Sequence, residues 1–244
     1  MTALTLSGVH THIDAYHILH GVDLAVPAGA ITVLLGRNGA GKTTTLRTVM
    51  GLWRASAGSI SFGGQRIDGR HTADIARAGI AYVPESMAIF GDLTVRDNLL
   101  LAARGARRET DLDGARLARI FGFFPALKTF WLHPAGKLSG GQKQMLAVAR
   151  AIVEPRALLL VDEPSKGLAP AIVDNLVAAL RQVQAEDRTT VLLVEQNVAM
   201  ATALGEHVAV MDGGRVVHAG PMAELAADDA LQQRLLGLSL EAHA

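Results

Sequence analysis

The sequence predicts an α/β protein. Short apolar runs recur along its 244 residues, with stretches of helical spacing between them. One of those runs, Ile31–Leu35, feeds straight into a glycine-rich loop and then a helix-forming segment. A later run, Ala157–Val161, ends abruptly on two carboxylates, Asp162 and Glu163.

In chain order, Leu4–Val9, Val22–Val26 and Ile31–Leu35 read as strands, and Lys42–Met50 as the helix after the third. Ser59–Phe62 and Arg66–Ile67, separated by Gly63-Gly64, read as a hairpin. Ile80–Val83 is another strand, stopped by Pro84. Beyond Thr94 the character changes: Val95–Ala103 and Leu112–Phe124 carry helical spacing and β-branched residues become scarce. Residues 94–137 are therefore expected to be a helical insertion within one domain spanning 1–244. Strands resume at Ala157–Val161, Thr190–Val194, Val208–Met211 and Val216–His218, with helices at Ala171–Gln184 and Val198–Leu204. Gly213-Gly214 signals a tight turn, and Met222–Leu236 reads as a helical tail.

Composition narrows the function classes. Half the residues are apolar, enough for a sizeable core. Lys and Arg number 23 and Asp and Glu number 23, so no net field favours nucleic acid as a partner. Without cysteine there are no disulfides and no thiolate sites, which fits a cytoplasmic chain. The start, Met1-Thr-Ala-Leu-Thr-Leu-Ser-Gly, lacks a secretion signal's basic residues and apolar block. No apolar run approaches the roughly 18–20 residues that span a membrane. A membrane role is expected to be peripheral, by docking on another protein at the inner face.

The segment Gly36-Arg37-Asn38-Gly39-Ala40-Gly41-Lys42-Thr43 fits G-x-x-x-x-G-K-[ST] at every fixed position, and Thr44 continues it into the helix. Glycines let the backbone turn its N–H groups inward at a helix N-terminus, making an anion site. Lys42 supplies a point charge for the β- and γ-phosphates of ATP, and Thr43 a hydroxyl for Mg²⁺. A chance glycine turn is the bland alternative, but the strand before and the helix after are the context the motif demands. In such a fold the strand ending in Asp162 lies beside the loop, where the carboxylate holds Mg²⁺ and Glu163 polarises the attacking water. A strand end capped by surface acids is the other reading.

Those two motifs are shared by GTPases, kinases and helicases. Leu138-Ser139-Gly140-Gly141-Gln142 narrows the choice. By itself it could be a helix start with Ser139 as N-cap. Placed just before the Asp162-Glu163 strand, it resembles the signature motif of ATP-binding cassette (ABC) ATPases. The resemblance covers nearly the whole chain. It implies a P-loop NTPase core with a mainly parallel sheet, an antiparallel β subdomain and a helical signature subdomain. It also implies that Ser139, Gly140, Gly141 and Gln142 act on ATP held by a second cassette, so that ATP joins two subunits and hydrolysis parts them.

Several positions depart from the common family pattern. Glu85 follows Tyr82-Val83-Pro84 where most cassettes have glutamine; a carboxylate can bind Mg²⁺ or orient water but does not donate hydrogen bonds at neutral pH. Gln196 takes the place of the histidine that meets the γ-phosphate, and it cannot become cationic. Ala169 replaces the aspartate of the loop that crosses to the partner. The adenine-stacking aromatic is expected near Ile13; Tyr16, three residues on, is either that platform or a packing residue. Glu85, the Ser-x-Gly-Leu-Ala-Pro run and Glu195-Gln196-Asn197 together resemble the smaller ATPase subunit of branched-chain amino-acid (Liv-type) importers, as does Leu231-Gln-Gln-Arg-Leu-Leu-Gly237. That subgroup implies partnership with transmembrane permeases, a non-identical ATPase subunit (or a second copy in isolation) and, indirectly, a periplasmic or extracellular solute-binding protein. Related importers carry urea or amides, and the cassette never touches the solute. A non-transport cassette acting in translation or DNA maintenance, or an ATP-dependent regulator, are the other classes.

Three further features invite a structural or functional reading. His10, His12, His17 and His20 cluster without a carboxylate pattern that would favour a metal site. Arg104–Arg108 holds three arginines, expected at a solvated helix end. Phe121, Phe123, Phe124, Phe130 and Trp131 gather half the chain's aromatics in the helical insertion, either as packing or as a groove for a partner helix.

Overall fold

The computed structural model describes residues 1–103 and 114–236. Arg104–Arg108, the start of the expected Leu112–Phe124 helix and Gly237 lie outside them. The chain opens with β1 (Thr2–Ile13) and β2 (Tyr16–Pro27), then β3 (Ile31–Gly36), α1 (Lys42–Val49), β4 (Ala55–Phe62), β5 (Gln65–Arg66), α2 (Thr72–Arg77) and β6 (Ile80–Val83). The helices α3 (Val95–Ala103), α4 (Gly114–Phe123) and α5 (Pro125–Thr129) follow, with a 3₁₀ turn at Ala135–Lys137. Then come α6 (Gly140–Ile152), β7 (Leu158–Asp162), α7 (Pro170–Asp187), β8 (Thr190–Val194), α8 (Val198–Leu204), β9 (His207–Asp212), β10 (Arg215–Pro221), α9 (Met222–Ala227) and α10 (Asp229–Leu236).

The strands form two sheets. One is antiparallel, ordered β2-β1-β4-β5; the other has the order β10-β9-β3-β8-β7-β6, with β9, β3, β8, β7 and β6 mutually parallel and β10 antiparallel at the edge. The residues of β3, β7 and β8 are all buried, which is why they read as continuous apolar runs. Successive side chains of a strand point to opposite faces, so each of these strands feeds two cores. Val33, Leu35, Leu159, Val161, Val191 and Leu193 face the helices, in one cluster with α6 and the α3–α5 layer. Leu34, Leu158, Leu160, Leu192 and Val194 face α1 and the antiparallel sheet.

The structure extends several strands beyond their sequence reading, β1, β2, β4 and β10 the most. β1 continues past Val9 to Ile13 and pairs with β2 down to Ile13–Tyr16, around a turn at Asp14 with φ 52°. The alternation that should have announced this is broken by a bulge. Gly8 sits at φ 55°, and the buried positions switch from Leu4 and Leu6 to Val9 and Thr11. The bulge also presses on β4, where a Cβ at Gly58 would lie 2.2 Å from the Gly8 carbonyl oxygen. The helical tail divides in two, because Asp228 leaves helical geometry (φ −121°, ψ 92°) and its carboxylate accepts from the Leu231 N–H.

Residues 94–137 hold α3, α4 and α5. The two ends of this stretch meet: the Val95 N–H donates to the His133 carbonyl and the Ala135 N–H to that of Leu93. Among the described residues no helix is long and apolar enough to cross a membrane.

Candidate nucleotide site

The loop after β3 owes its path to glycine. Gly36 has φ 147°, and a Cβ there would lie 2.3 Å from the Met211 carbonyl oxygen of β9. Gly41, at φ 101°, caps α1 without a side-chain hydrogen bond, which leaves the first N–H groups of the helix directed at the loop. Lys42 folds back into this concavity. Its ammonium is buried and donates to the Gly36 and Arg37 carbonyls at 2.8 and 3.1 Å. Arg37, Asn38 and Gly39 form the exposed crest, whereas Ala40 is buried and Thr43 and Thr44 are half-buried. A concave run of backbone donors with a lysine inside fits a polyphosphate.

The end of β7 lies beside it. Thr43 Oγ1 donates to Asp162 Oδ1 at 2.9 Å, and Tyr82 donates to Oδ2 at 3.2 Å. Burial is the main reason that the Asp162 carboxyl is held above the usual carboxylate range, with Glu163 and Glu85 adding to it. The Tyr82 hydroxyl is pushed up to about 12 by burial and by the Asp162 charge. A buried carboxylate next to a hydroxyl is an all-oxygen donor pair, the chemistry Mg²⁺ takes. Thr43 and Asp162 therefore fit that ion, and the Glu85 carboxylate, whose charge reaches Asp162, accepts from the Lys166 ammonium at 2.6 Å.

Glu163 occupies a strained backbone position, with φ 45° in a residue that is not glycine. Its side chain is almost fully buried. Oε1 accepts from the Gln196 amide at 2.5 Å and lies 3.6 Å from the Lys42 ammonium. Oε2 faces the Lys166 ammonium at 3.8 Å. Lys166 is itself exposed, and its hydrogen bond to Glu85 raises its affinity for the proton.

A third carboxylate organises the surrounding loops. Glu195, buried at the end of β8, accepts from the N–H groups of Ser165, Gln196 and Asn197 at 3.1, 3.0 and 3.1 Å. One side chain thus ties the loop after Glu163 to the loop that carries Gln196. Ala169, the N-terminal cap residue of α7, offers no side-chain bond, and Pro170 starts that helix instead.

Ser139–Gln142 stand apart from these groups. Ser139 caps α6 in a full capping box: the Gln142 N–H donates to Ser139 Oγ at 3.3 Å and the Ser139 N–H donates to Gln142 Oε1 at 3.0 Å. Ser139 and Gly140 are exposed, and no described hydrogen bond or ion pair joins the four residues to the phosphate loop. Gly141 is where α6 meets α7, since a Cβ there would lie 3.2 Å from Ile172. Tyr16 is largely exposed at the tip of the β1–β2 hairpin. That hairpin is tied to the loop: the His20 N–H donates to the Gly214 carbonyl, and the Gly214 N–H to that of Ala40.

The histidines of the same hairpin stack on one another, His12 on His17 at 4.1 Å and His17 against His20 at 4.0 Å. Among the described residues no group of histidine, aspartate or glutamate side chains is arranged to hold a metal. The aromatics of the helical layer pack rather than line a groove. Phe124 is fully buried, Phe121 meets Trp131 edge-on, and Phe123, Phe130 and Trp131 rest against the helix-facing core. A cavity of about 660 Å³ does open beside that layer. Its walls are Trp53, Tyr82, Pro84, Met87, Ala102 and Arg150, so it runs between the β6 end and α3 and α6.

Sequence reasoning had missed Glu195, Lys166 and Tyr82. A charged residue directly after an all-apolar strand was a signal for Glu195. Tyr82 finds Asp162 80 positions away and Lys166 finds Glu85 81 positions away, beyond any local pattern, although Lys166 also faces Glu163 three positions before it.

This fold and site define an ATP-binding and ATP-hydrolysing cassette, and the chain belongs to the ABC transporter family, whose pattern matches residues 19–166. Among its relatives is the high-affinity branched-chain amino acid transport ATP-binding protein BraG of Pseudomonas aeruginosa. The two are 37% identical over 234 residues, 96% of this chain and 99% of the relative. The probable branched-chain amino acid transport ATP-binding protein LivF of Archaeoglobus fulgidus is 33% identical, covering 91% and 93% of the two chains. A solved ATP-binding subunit of an ABC transporter superposes with a TM-score of 0.81 at 27% identity, over 98% of this chain and 97% of that one.

Proposed function

We propose that this chain powers the uptake of branched-chain or other amino acids by hydrolysing ATP at the inner face of a cell membrane. The observation that carries the reading is the convergence of Lys42 and Gln196 on Glu163, beside the Thr43–Asp162 pair. The high similarity to BraG and LivF along almost the full chain supports the amino-acid cargo.

In this proposal each group takes a role. The N–H groups of Gly39–Thr44 and the Lys42 ammonium bind the phosphates; on ATP binding Lys42 exchanges carbonyl partners for phosphate oxygens. Tyr16 offers its ring to adenine. Thr43 and Asp162 would hold Mg²⁺, which when bound offsets charge on the β- and γ-phosphates. Glu163 takes a proton from the attacking water, and Gln196 orients that carboxylate and donates to the γ-phosphate. Glu85 serves the same reaction from one step further out, through Lys166. Ser139, Gly140, Gly141 and Gln142 complete a site on a second cassette, non-identical in the assembled importer. The cavity between the β6 end and the helical layer receives a permease segment, and a solute-binding protein delivers cargo on the far side.

Glu163→Gln tests the core of this reading. The expected outcome is ATP affinity within about threefold of the parent, with turnover lowered by about a hundredfold or more. Undiminished hydrolysis would remove Glu163 from the role of base. A urea or amide importer would share all of these properties, and uptake of labelled solutes by reconstituted vesicles separates the cargoes.

A further inference from the structure

One exposed lysine stands between two carboxylates that belong to different loops. The Lys166 ammonium is 2.6 Å from Glu85 Oε1 and 3.8 Å from Glu163 Oε2. On Glu163 the other oxygen is already engaged by Gln196. Oε2 is therefore the oxygen left to receive a proton from water, and the Lys166 ammonium faces it. An ammonium seated on Oε2 occupies the lone pairs that the attacking water must meet. The geometry shows Glu85 holding the closer share of that cation.

We propose that Lys166 is a positioning residue for hydrolysis and that Glu85 and Glu163 compete for it: Glu85 draws the ammonium off the base and so keeps Glu163 Oε2 open to water. The idea rests on Glu163 as the base, and it gives Glu85 a task that requires a carboxylate, which an amide would not perform. Both Lys166 and Glu85 are solvent-accessible, so their attraction is partly screened and responds to salt. The position of Glu85 also matters. Pro84 and Met87, on either side of it, line the cavity next to the helical layer. Whatever fills that cavity can move Glu85, and with it the share of Lys166 left on Glu163.

The test is a double-mutant cycle on the full chain, with kcat and KM for ATP measured for each variant. Glu85→Gln should lower kcat about fivefold or more, with KM within twofold, because Lys166 then settles on Glu163. Adding Lys166→Met to Glu85→Gln should restore kcat to within about twofold of the parent. Lys166→Arg should leave the parent behaviour in place, and raising the salt concentration should shrink the Glu85→Gln defect. If the second substitution fails to restore kcat, Glu85 acts as a ligand or water-orienting group in its own right, and the competition is overturned. A defect confined to KM, or one insensitive to salt, would overturn it equally. The Glu163→Gln variant reads the underlying assumption separately: if it hydrolyses ATP normally, the base assignment fails, whereas the cycle above addresses only the lysine.

Discussion

The phosphate loop and the signature segment are both helix starts rich in glycine, yet the structure treats them in opposite ways. At the first, Lys42 is buried, and its ammonium is satisfied by carbonyls and by a carboxylate from β7's end. Asp162, Glu163 and Gln196 close around it. At the second, the Ser139 and Gln142 side chains each bond the other residue's backbone N–H, and Ser139 and Gly140 are exposed. One region is a pocket walled by residues of this chain; the other is a helix start at the surface with its capping needs met. Under the function proposed above, the two are halves of a site that do not face each other within one chain.

Substitutions at the two regions should separate binding from turnover. The largest effect is expected from Lys42→Ala, which removes the buried cation at the loop. ATP affinity should fall by about a hundredfold or more, in line with losing a charge-assisted contact to phosphate. Isothermal titration would check this, and retained near-parental affinity would erase the distinction between the two regions. A smaller effect is expected from Ser139→Ala. The lost cap should lower stability by about 1 kcal/mol. ATP affinity should stay within about twofold, since the segment does not touch the chain's own loop. Turnover should drop about tenfold, the size of one lost hydrogen bond to a charged group. Equal losses of affinity and turnover would place Ser139 at the chain's own nucleotide after all.

How much of this was readable from the sequence follows from where each partner lies. The phosphate loop was legible because its chemistry is local: backbone donors, lysine and hydroxyl sit in one run of eight residues. Asp162 and Glu163 were legible because an all-buried parallel strand is a continuous apolar word with a charged end. Ser139 announced its helix through the glutamine three positions on. The rest depended on contacts that no short window contains. β1 looked shorter than it is because the Gly8 bulge switches which residues face inward. α2 has only Ile75 buried, too little to mark a face. Asp228 splits the tail through a capping bond to Leu231, invisible beneath a helical alternation of leucine and alanine. Glu195 and Lys166 gain their meaning only when β8, β7 and the end of β6 are brought side by side.

If, as proposed above, a second cassette completes the pocket around Lys42 and Glu163, turnover depends on association of the chains. The most direct measurement is turnover per chain across a dilution series at saturating ATP, with the mass of the chain followed by sedimentation in parallel. Turnover per chain should fall as the dimer dissociates and be negligible where only monomer remains. Constant turnover in the monomeric range would contradict it, because the pocket would then be whole within one chain.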